Sequence, residues 1–241
     1  MAQNISKSSV VLYGKHSVIS ALQNPKRQIE KVLCTKDNLQ HLQQYTKNIC
    51  VVERKEIDAI TPRDAVHQGI ALICKPLPNY MIEDIISLSS TKENCQILIL
   101  DQVTDPQNIG AIIRSAVAFN TLALILQDKN SPTENGTMAK AAAGMMEFLP
   151  ICRVTNLSRA ISQLKKSGFW SIGMDGYAKT TIDKMKKGGK NIIIMGSEGR
   201  GMRRLIEENC DITIKLPMNE NVESLNVATA ASIVLYEMNK E

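Results

Sequence analysis

The chain has 241 residues and a formal net charge of +5 at pH 7, a length that can form one large domain or two small ones. Its six cysteines are scattered without a C-x-x-C pair beside three histidines, which excludes a zinc or disulfide framework and favours free thiols in a reducing compartment. The N-terminal residues are polar and no apolar run approaches about 18 residues, so we expect a cytoplasmic protein without a signal peptide, membrane span or metal.

The first region, residues 9–76, reads as a small α/β unit of about the smallest size that folds alone. Short apolar runs predict strands, and helix-like patterns lie between them. The predicted strands cover residues 31–34, 50–52 and 70–74, and the predicted helices cover 15–22, 39–47 and 56–59. The next residues, KPLPNY, bring two prolines, so we predict a linker over residues 77–94 that includes a short helix at 82–88.

The second region, residues 95–241, has a different pattern. Near-continuous apolar runs (QILIL, LALILQ, FWSIGM, NIIIMG and DITIKLP) alternate with helix-like stretches such as IGAIIRSAVAF and LSRAISQLKKSG. Apolar strands separated by helices are typical of a parallel sheet that is covered on both faces. The sequence therefore predicts an α/β domain over residues 95–241.

Helix entry is predicted at DPQNIGAIIRSA, where Pro106 follows Asp105. Arg114 lies among small and apolar residues of this helix, so its guanidinium must reach a partner or solvent. A carboxylate is the usual structural partner of such an arginine. A phosphate is the functional alternative, because the planar guanidinium suits it.

A glycine-rich turn, GSEGRGMRR, follows the strand NIIIM and lies at the carboxyl edge of the predicted sheet, where open α/β folds bind ligands. Gly196, Gly199 and Gly201 permit positive φ or a close approach of the backbone to a ligand. The order G-x-x-G-x-G fits neither the dinucleotide-binding fingerprint nor a Walker loop. A tight strand-to-helix turn without a ligand is the alternative.

KLPMNENVESLNVATAAS is predicted to form a second side of the ligand site, opposite the glycine-rich turn. Pro217 stops strand pairing and leaves the backbone groups of Leu216 and Met218 free for a ligand. Ser224 is predicted to cap the following helix, with Asn226 in its first turn, and capping alone is the structural alternative for both. The helix itself is small and apolar, so we expect it to be buried on all sides, with a second subunit against it.

Three ordered stretches, 101–116 (DQVTDPQNIGAIIRSA), 195–205 (MGSEGRGMRRL) and 215–236 (KLPMNENVESLNVATAASIVLY), resemble SpoU-type RNA 2′-O-ribose methyltransferases of the SPOUT superfamily. YGKHSVISAL and HQGIAL in the first region look like the substrate-binding domain of a subset that modifies rRNA. In these segments we interpret His16 and His67 as structural or RNA-facing. The resemblance implies a C-terminal parallel-sheet domain with a trefoil knot, preceded by an α/β RNA-binding domain similar to small ribosomal proteins.

The resemblance also implies a function: S-adenosylmethionine-dependent 2′-O-methylation of a guanosine ribose in structured rRNA by a homodimer joined through its C-terminal helix. Expected cofactor contacts are Gly196, Leu216, Met218 and Leu225. The resemblance casts Arg114 as proton acceptor, although arginine is a very poor base and a phosphate and hydroxyl clamp suits it better. The residues expected to orient Arg114 and the ribose are Asn108, Glu198, Ser224 and Asn226.

The chain departs from the family pattern at three places. Glu220 replaces a usual glycine, Ala228 replaces a common serine, and Ala142 lies in AAAGM, which replaces S-A-G-A. Two other functions stay open, a tRNA 2′-O-methyltransferase and a non-catalytic RNA-binding or assembly protein of the same fold. Pure RNA binding has no need of Asn108, Arg114, Glu198 and Asn226 together, so the set favours an enzyme.

Overall fold

The structure is a computed structural model, and it describes residue 6, residues 8–185 and residues 188–240. The chain forms two compact units. The first contains the residues up to Pro78 together with residues 132–147, and the second contains residues 79–131 and those from 148 onward. Positions 186, 187 and 241 of the predicted second domain lie outside the described residues.

The first unit is built on a four-stranded sheet in the order β1-β4-β2-β3. Strand β4 is antiparallel to β1 and β2, whereas β2 and β3 are parallel. Its strands are β1 (Val10–Tyr13), β2 (Ile29–Cys34), β3 (Ile49–Val51) and β4 (Ile70–Cys74), and its helices include α1 (Lys15–Gln23), α2 (Leu39–Leu42) and α3 (Arg54–Asp58). The predicted strands and helices are present, except that α2 ends five residues early and β1 was not predicted.

Residues 132–147, with helix α6 (Gly136–Ala141), belong to the first unit, whereas the sequence placed them in the domain 95–241. The buried guanidinium of Arg27 forms ion pairs with Glu134 and Glu147 and donates to the Lys75 carbonyl at 3.0 Å. Burial alone would lower the pKa of Arg27, but the two carboxylates outweigh it and raise this pKa above its ordinary value. A local pattern cannot reveal pairs separated by more than 100 positions.

The second unit has a seven-stranded parallel sheet in the order β7-β6-β5-β10-β8-β11-β9. This confirms the predicted parallel α/β fold. The strands are β5 (Cys95–Leu100), β6 (Ala123–Gln127), β7 (Ile151–Val154), β8 (Trp170–Met174), β9 (Thr180–Thr181), β10 (Lys190–Met195) and β11 (Ile212–Lys215). The helices are α4 (Ile82–Ser89), α5 (Pro106–Ala118), α7 (Leu157–Lys166), α8 (Arg204–Glu207) and α9 (Val227–Asn239).

Both faces of this sheet are covered. Ile97 and Ile192 pack with α4 and α7 in one buried cluster. Their neighbours Leu98 and Ile193 point to the opposite face, because side chains alternate along a strand, and they are also fully buried. Such two-sided burial accounts for the near-continuous apolar runs in the sequence.

The predicted linker over residues 77–94 differs from the structure. Tyr80 forms a parallel bridge with Cys152, and helix α4 contributes the buried Ile82 and Ile85 to the core of the second unit. The prolines of KPLPNY therefore lie at the boundary between the two units, and from Asn79 the chain is already part of the second unit. Among the described residues, none of the helices has the length and apolar character that crossing a membrane requires.

Candidate functional site

Three turns follow strands that end side by side at the carboxyl edge of the large sheet. The register pairs Met195 of β10 with Leu100 of β5, and Ile214 of β11 with Met174 of β8. Ligands bind at this edge in open α/β sheets. The turns after β8, β10 and β11 are therefore candidates for the walls of a site.

The turn after β10 folds back on itself. Ser197 and Gly201 exchange two backbone hydrogen bonds of 3.1 and 2.9 Å. A Cβ atom on Gly196 would lie 2.0 Å from the Gly201 carbonyl carbon, so only glycine fits there. Gly199 and Gly201 have φ of 75° and 65°, in the left-handed region that glycine enters freely.

A buried carboxylate anchors this turn. Asp101, which directly follows β5, has no exposed surface and accepts from the backbone N–H and Nε of Arg203, each at 2.8 Å. The Arg203 Nη2 atom lies 2.7 Å from the same carboxylate. A charged, multiply bonded pair of this kind is among the stronger polar contacts in proteins, and it fixes the end of the glycine-rich turn to the end of β5.

The turn after β11 ends at helix α9, whose cap corrects one prediction. Asn226, rather than Ser224, is the N-cap residue: its Oδ1 accepts from the backbone N–H groups of Ala228 and Thr229 at 3.0 and 3.2 Å. Ser224 lies two positions earlier and is exposed. Serine and asparagine cap helices about equally well, so composition could not decide between them. Ala228, the departure beside this cap, is buried.

Within the single chain helix α9 is buried on one side only, so the expected burial of its other side against a second subunit stays a prediction. Ala231 and Val234 have no exposed surface, but Ile233 is 42% and Tyr236 is 51% exposed. The buried face packs against α5, where the hydroxyls of Ser115 and Ser232 lie 2.7 Å apart. One apolar face of α9 is thus left open.

Asn108, Glu198 and Asn226 form one hydrogen-bonded cluster from three distant parts of the chain. Glu198 Oε1 accepts from Asn226 Nδ2 at 2.7 Å, from Asn108 Nδ2 at 3.1 Å and from the Val227 N–H at 3.1 Å. Asn226 Nδ2 also donates to Asn108 Oδ1 at 2.9 Å. Because all three donors approach Oε1, and no described residue donates to Oε2, the second oxygen is left for a ligand.

A cavity of about 480 Å³ lies between the three turns. All four residues expected to contact a cofactor line it, together with Glu198 and Ser224; these four are Gly196, Leu216, Met218 and Leu225. The turn 174–177 after β8 also lines the cavity and was missed by the sequence analysis. Its Asp-Gly pair after an apolar strand, FWSIGM, carried the signal that could have found it.

The cavity combines apolar walls with an excess of acidic side chains. Four carboxylates line it against two basic side chains, and these residues are Asp175, Glu198, Glu207, Glu223, Arg200 and Lys215. Met174, Met195 and Val227 supply apolar surface. Such a lining suits a ligand that is partly apolar and carries positive charge.

Arg114 is not part of this assembly. It lies on α5 six positions after Asn108, which places it about 120° away around the helix. Its side chain is exposed, and among the described residues it has neither an ion pair nor a hydrogen-bond partner. The expectation that this guanidinium reaches solvent is met, and no carboxylate of the described chain neutralises it.

Glu220 and Ala142 are the other two departures from the family pattern. Glu220 is exposed in the turn after β11, and Ala142 is buried in the first unit. Within residue 6, residues 8–185 and residues 188–240, no three His, Cys, Asp or Glu side chains are grouped so as to hold a metal ion.

Comparison with known protein families gives two matches. Residues 96–236 match the model described as the SpoU rRNA Methylase family, and residues 11–80 match the model described as RNA 2'-O ribose methyltransferase substrate binding. Together these matches span most of the chain, in the order expected from the motifs.

Curated relatives match at full length. The 23S rRNA (guanosine-2'-O-)-methyltransferase RlmB of Escherichia coli strain K12 is 36% identical over 237 residues, which cover 95% of this chain and 97% of that protein. The protein of the same name from Photorhabdus laumondii is 38% identical over 237 residues, with the same two shares.

Solved structures share the fold. AviRb of Streptomyces viridochromogenes, a SpoU methyltransferase crystallised with AdoMet, superposes with a TM-score of 0.82 at 19% identity, covering 96% of this chain and 89% of that one. An AdoMet-bound rRNA methyltransferase from Sinorhizobium meliloti gives 0.80 at 24% identity, covering 96% and 87%.

Proposed function

The chain belongs to the SpoU rRNA methylase family, and from that membership we propose that it methylates the ribose 2′-hydroxyl of a guanosine in 23S rRNA, with S-adenosylmethionine as methyl donor. The observation that carries the proposal is the cavity between three strand-end turns, with the cluster of Asn108, Glu198 and Asn226 at its side. The full-length relatives named for this reaction support it.

The cavity fits the cofactor in size and chemistry. Its volume of about 480 Å³ lies within the range of about 300–1,000 Å³ that small-molecule sites occupy. Pro217 has no N–H, and β11 ends at Lys215, so the backbone of Leu216 and Met218 has no strand partner. We assign cofactor contacts to these two residues and to Gly196 and Leu225. When bound, S-adenosylmethionine supplies an electrophilic methyl group on a positively charged sulfur.

The chain's own residues orient the ribose and receive its proton. Glu198 is held through Oε1 by three donors, so its Oε2 has a fixed direction and free lone pairs. Asn108 and Asn226 hold this carboxylate, and Ser224 lines the cavity beside it. Arginine has no lone pair to accept a proton; we therefore assign Arg114 to an RNA phosphate and the reacting hydroxyl, and assign the proton to Glu198 Oε2.

We also propose that the active protein is a homodimer through α9. The open face of this helix carries Ile233 and Tyr236, two large apolar side chains that a second copy would cover. Arg114 lies on α5, the helix that packs against α9, and has no partner within its own described chain. A dimer that brings Arg114 to the partner's cavity would complete the site, and the trefoil knot expected from the family would form that cavity in each subunit.

The two units take different roles in this proposal. The first, which includes the segment 132–147, grips rRNA, since residues 11–80 match a substrate-binding model. The second carries out methyl transfer without a metal. The reaction would take place in the cytoplasm, where rRNA is assembled into ribosomes.

The test is methyl transfer to separate RNA pools. The full chain is incubated with S-adenosylmethionine labelled in its methyl group and with unmodified 23S rRNA, 16S rRNA or tRNA, and the labelled nucleoside is identified after digestion. We expect label only in 2′-O-methylguanosine from 23S rRNA. Label from tRNA alone would favour the tRNA alternative, and binding of 23S rRNA without any label would favour the non-catalytic alternative.

A further inference from the structure

A buried histidine fixes a tight turn in the first unit. His67 is fully buried; its Nδ1 accepts from the Gly69 N–H at 3.0 Å, so Nε2 carries the proton and donates to Asp58 at 2.8 Å. Gln68, between them, has φ of 59°, which is uncommon for a residue other than glycine. Asn38 donates to the Gln68 carbonyl at 3.1 Å and holds it there.

This turn presents the Gln68 side chain to two donors from other segments. Its Oε1 accepts from the Lys15 N–H at 3.1 Å and from Lys140 Nζ at 3.0 Å. Because Oε1 is used in this way, the amide Nε2 points away from them, and no described residue accepts from it. Three segments of the first unit therefore meet at one exposed glutamine.

Lys140 carries a positive charge for which the described residues provide no counterion. Its ammonium lies against Gly14, where an added Cβ atom would come within 2.6 Å of Nζ. Partial burial lowers the pKa of Lys140, and among the described residues no carboxylate lies within salt-bridge distance of it. The exposed Lys15 and His16 follow Gly14 directly. A half-buried ammonium normally has a charged partner, so its absence points to an anion from outside the chain.

We propose that Lys140, Gln68 and Lys15 form a phosphate site for the backbone of the RNA substrate. The ammonium supplies the charge, and the free Nε2 of Gln68 supplies a directed hydrogen bond to a phosphate oxygen. Gln68 thus positions Lys140 and contacts the RNA at the same time. This inference rests on the proposed RNA substrate and adds a specific contact surface to the first unit.

The test compares RNA binding by the full chain and by three variants. Unmodified 23S rRNA transcript is titrated by filter binding between about 50 and 300 mM KCl. Lys140→Gln should weaken binding about three- to tenfold near 0.1 M salt and lower the slope of log K against log salt by about 0.7–0.9. Gln68→Ala should weaken binding too, and the double variant should bind less tightly than Lys140→Gln but by less than the sum of the two single effects, because the two side chains contact each other.

Lys47→Gln is the matched control. Lys47 is exposed and precedes β3, at the opposite edge of the same sheet and at the opposite ends of its strands. Circular dichroism melts check that each variant folds, and the affinity for S-adenosylhomocysteine should be unchanged. Equal effects of Lys140→Gln and Lys47→Gln would overturn the site. A wild-type chain that methylates no RNA would instead overturn the proposed function.

Discussion

Asn226→Asp keeps the helix cap that Asn226 provides and removes its hydrogen bonds to Glu198 and Asn108. The two side chains have the same shape, and aspartate caps a helix as well as asparagine does. The Oδ1 atom that accepts from Ala228 and Thr229 is retained. The atom that changes is Nδ2, which donates to Glu198 and Asn108. A carboxylate oxygen there faces two acceptors and can donate to neither.

The expected cost follows from these contacts. The variant loses one hydrogen bond to a charged acceptor, worth about 1.5–3 kcal/mol, and one to a neutral acceptor, worth about 1 kcal/mol. It adds a repulsion between two carboxylates about 3 Å apart, which is about 1.4 kcal/mol in a water-like dielectric. Because water replaces part of these bonds at an exposed site, we expect a total of about 2–4 kcal/mol. The thermal midpoint should fall by about 5–10 °C.

The assay measures the thermal midpoint as a function of pH. Repulsion raises the pKa of the introduced carboxyl in the folded state above its unfolded value. The folded variant then gains a proton as pH falls, so the deficit should be complete near pH 8 and should shrink toward pH 5. Asn226→Ser keeps a cap and adds no charge, so its smaller deficit should not change with pH.

Asn156→Asp is the matched control, since Asn156 caps α7 by accepting from the Arg159 N–H and its Nδ2 donates to no described residue. This substitution should be neutral or slightly stabilising, because a negative charge suits a helix N-terminus. If Asn226→Asp melted like the wild type at pH 8 and kept full methyl transfer, the hydrogen-bonded cluster would have no importance for either property.

Four further outcomes are expected. Arg114→Ala should abolish methyl transfer without changing calorimetric affinity for S-adenosylhomocysteine, and Arg114→Lys should be almost as poor, because an ammonium cannot replace a planar guanidinium; full activity of the lysine variant would contradict the planar contact. In Glu198→Gln the side chain can still accept at Oε1, but the amide nitrogen at the other position has no lone pair to receive a proton. The kcat should therefore fall at least about 100-fold with little change in KM for RNA. An unchanged kcat would show that Glu198 is not the proton acceptor. Ile233→Glu should give monomers by sedimentation velocity and inactivate the enzyme, whereas active monomers would refute the shared site. Deletion of residues 1–76 should make the segment 132–147 sensitive to limited proteolysis, because that segment packs on the first unit; a resistant segment would show that it folds without those residues.

Sequence pattern predicted most of the large sheet because each central strand is buried on both faces. The runs that become β5, β6 and β10 are apolar at nearly every position, and burial on both faces leaves no other composition for them. Strand β1, with four residues, and β9, with two, are too short to show a period. Their pairing partners lie far away in sequence, and the local pattern does not contain that information.

The candidate site was predictable where backbone geometry requires a particular residue type. Gly196 and Pro217 mark two of the three turns that line the cavity. At Gly196 the folded-back turn leaves no room for a side chain. At Pro217 the strand has ended, so a residue without an N–H is tolerated. The cap at Asn226 was not predictable from propensity. The fold decides it, since the next N–H, that of Val227, is satisfied by Glu198 from another turn.

Residues 132–147 show the limit of a domain boundary drawn from composition. The segment contains buried apolar side chains, Met138 and Met146, and nothing in their spacing indicates which sheet they pack against. The ion pairs of Glu134 and Glu147 with Arg27 connect the segment to the first unit. A buried arginine left without carboxylates would be strongly unfavourable, so this segment supplies the negative charges that the buried Arg27 of the first unit requires.

Asn226 explains why the helix start and the proposed chemistry depend on the same side chain. Its Oδ1 accepts from the backbone N–H groups of Ala228 and Thr229 at the start of α9. That orientation leaves Nδ2 facing Glu198, and Glu198 in turn accepts the Val227 N–H that the cap does not reach. Three orphan N–H groups of the helix terminus, those of Val227, Ala228 and Thr229, are thus satisfied by the residues that fix the free oxygen of Glu198. Loss of the whole Asn226 side chain should therefore disturb the helix start and displace that oxygen together, whereas Asn226→Asp keeps the cap and changes only the contact with Glu198.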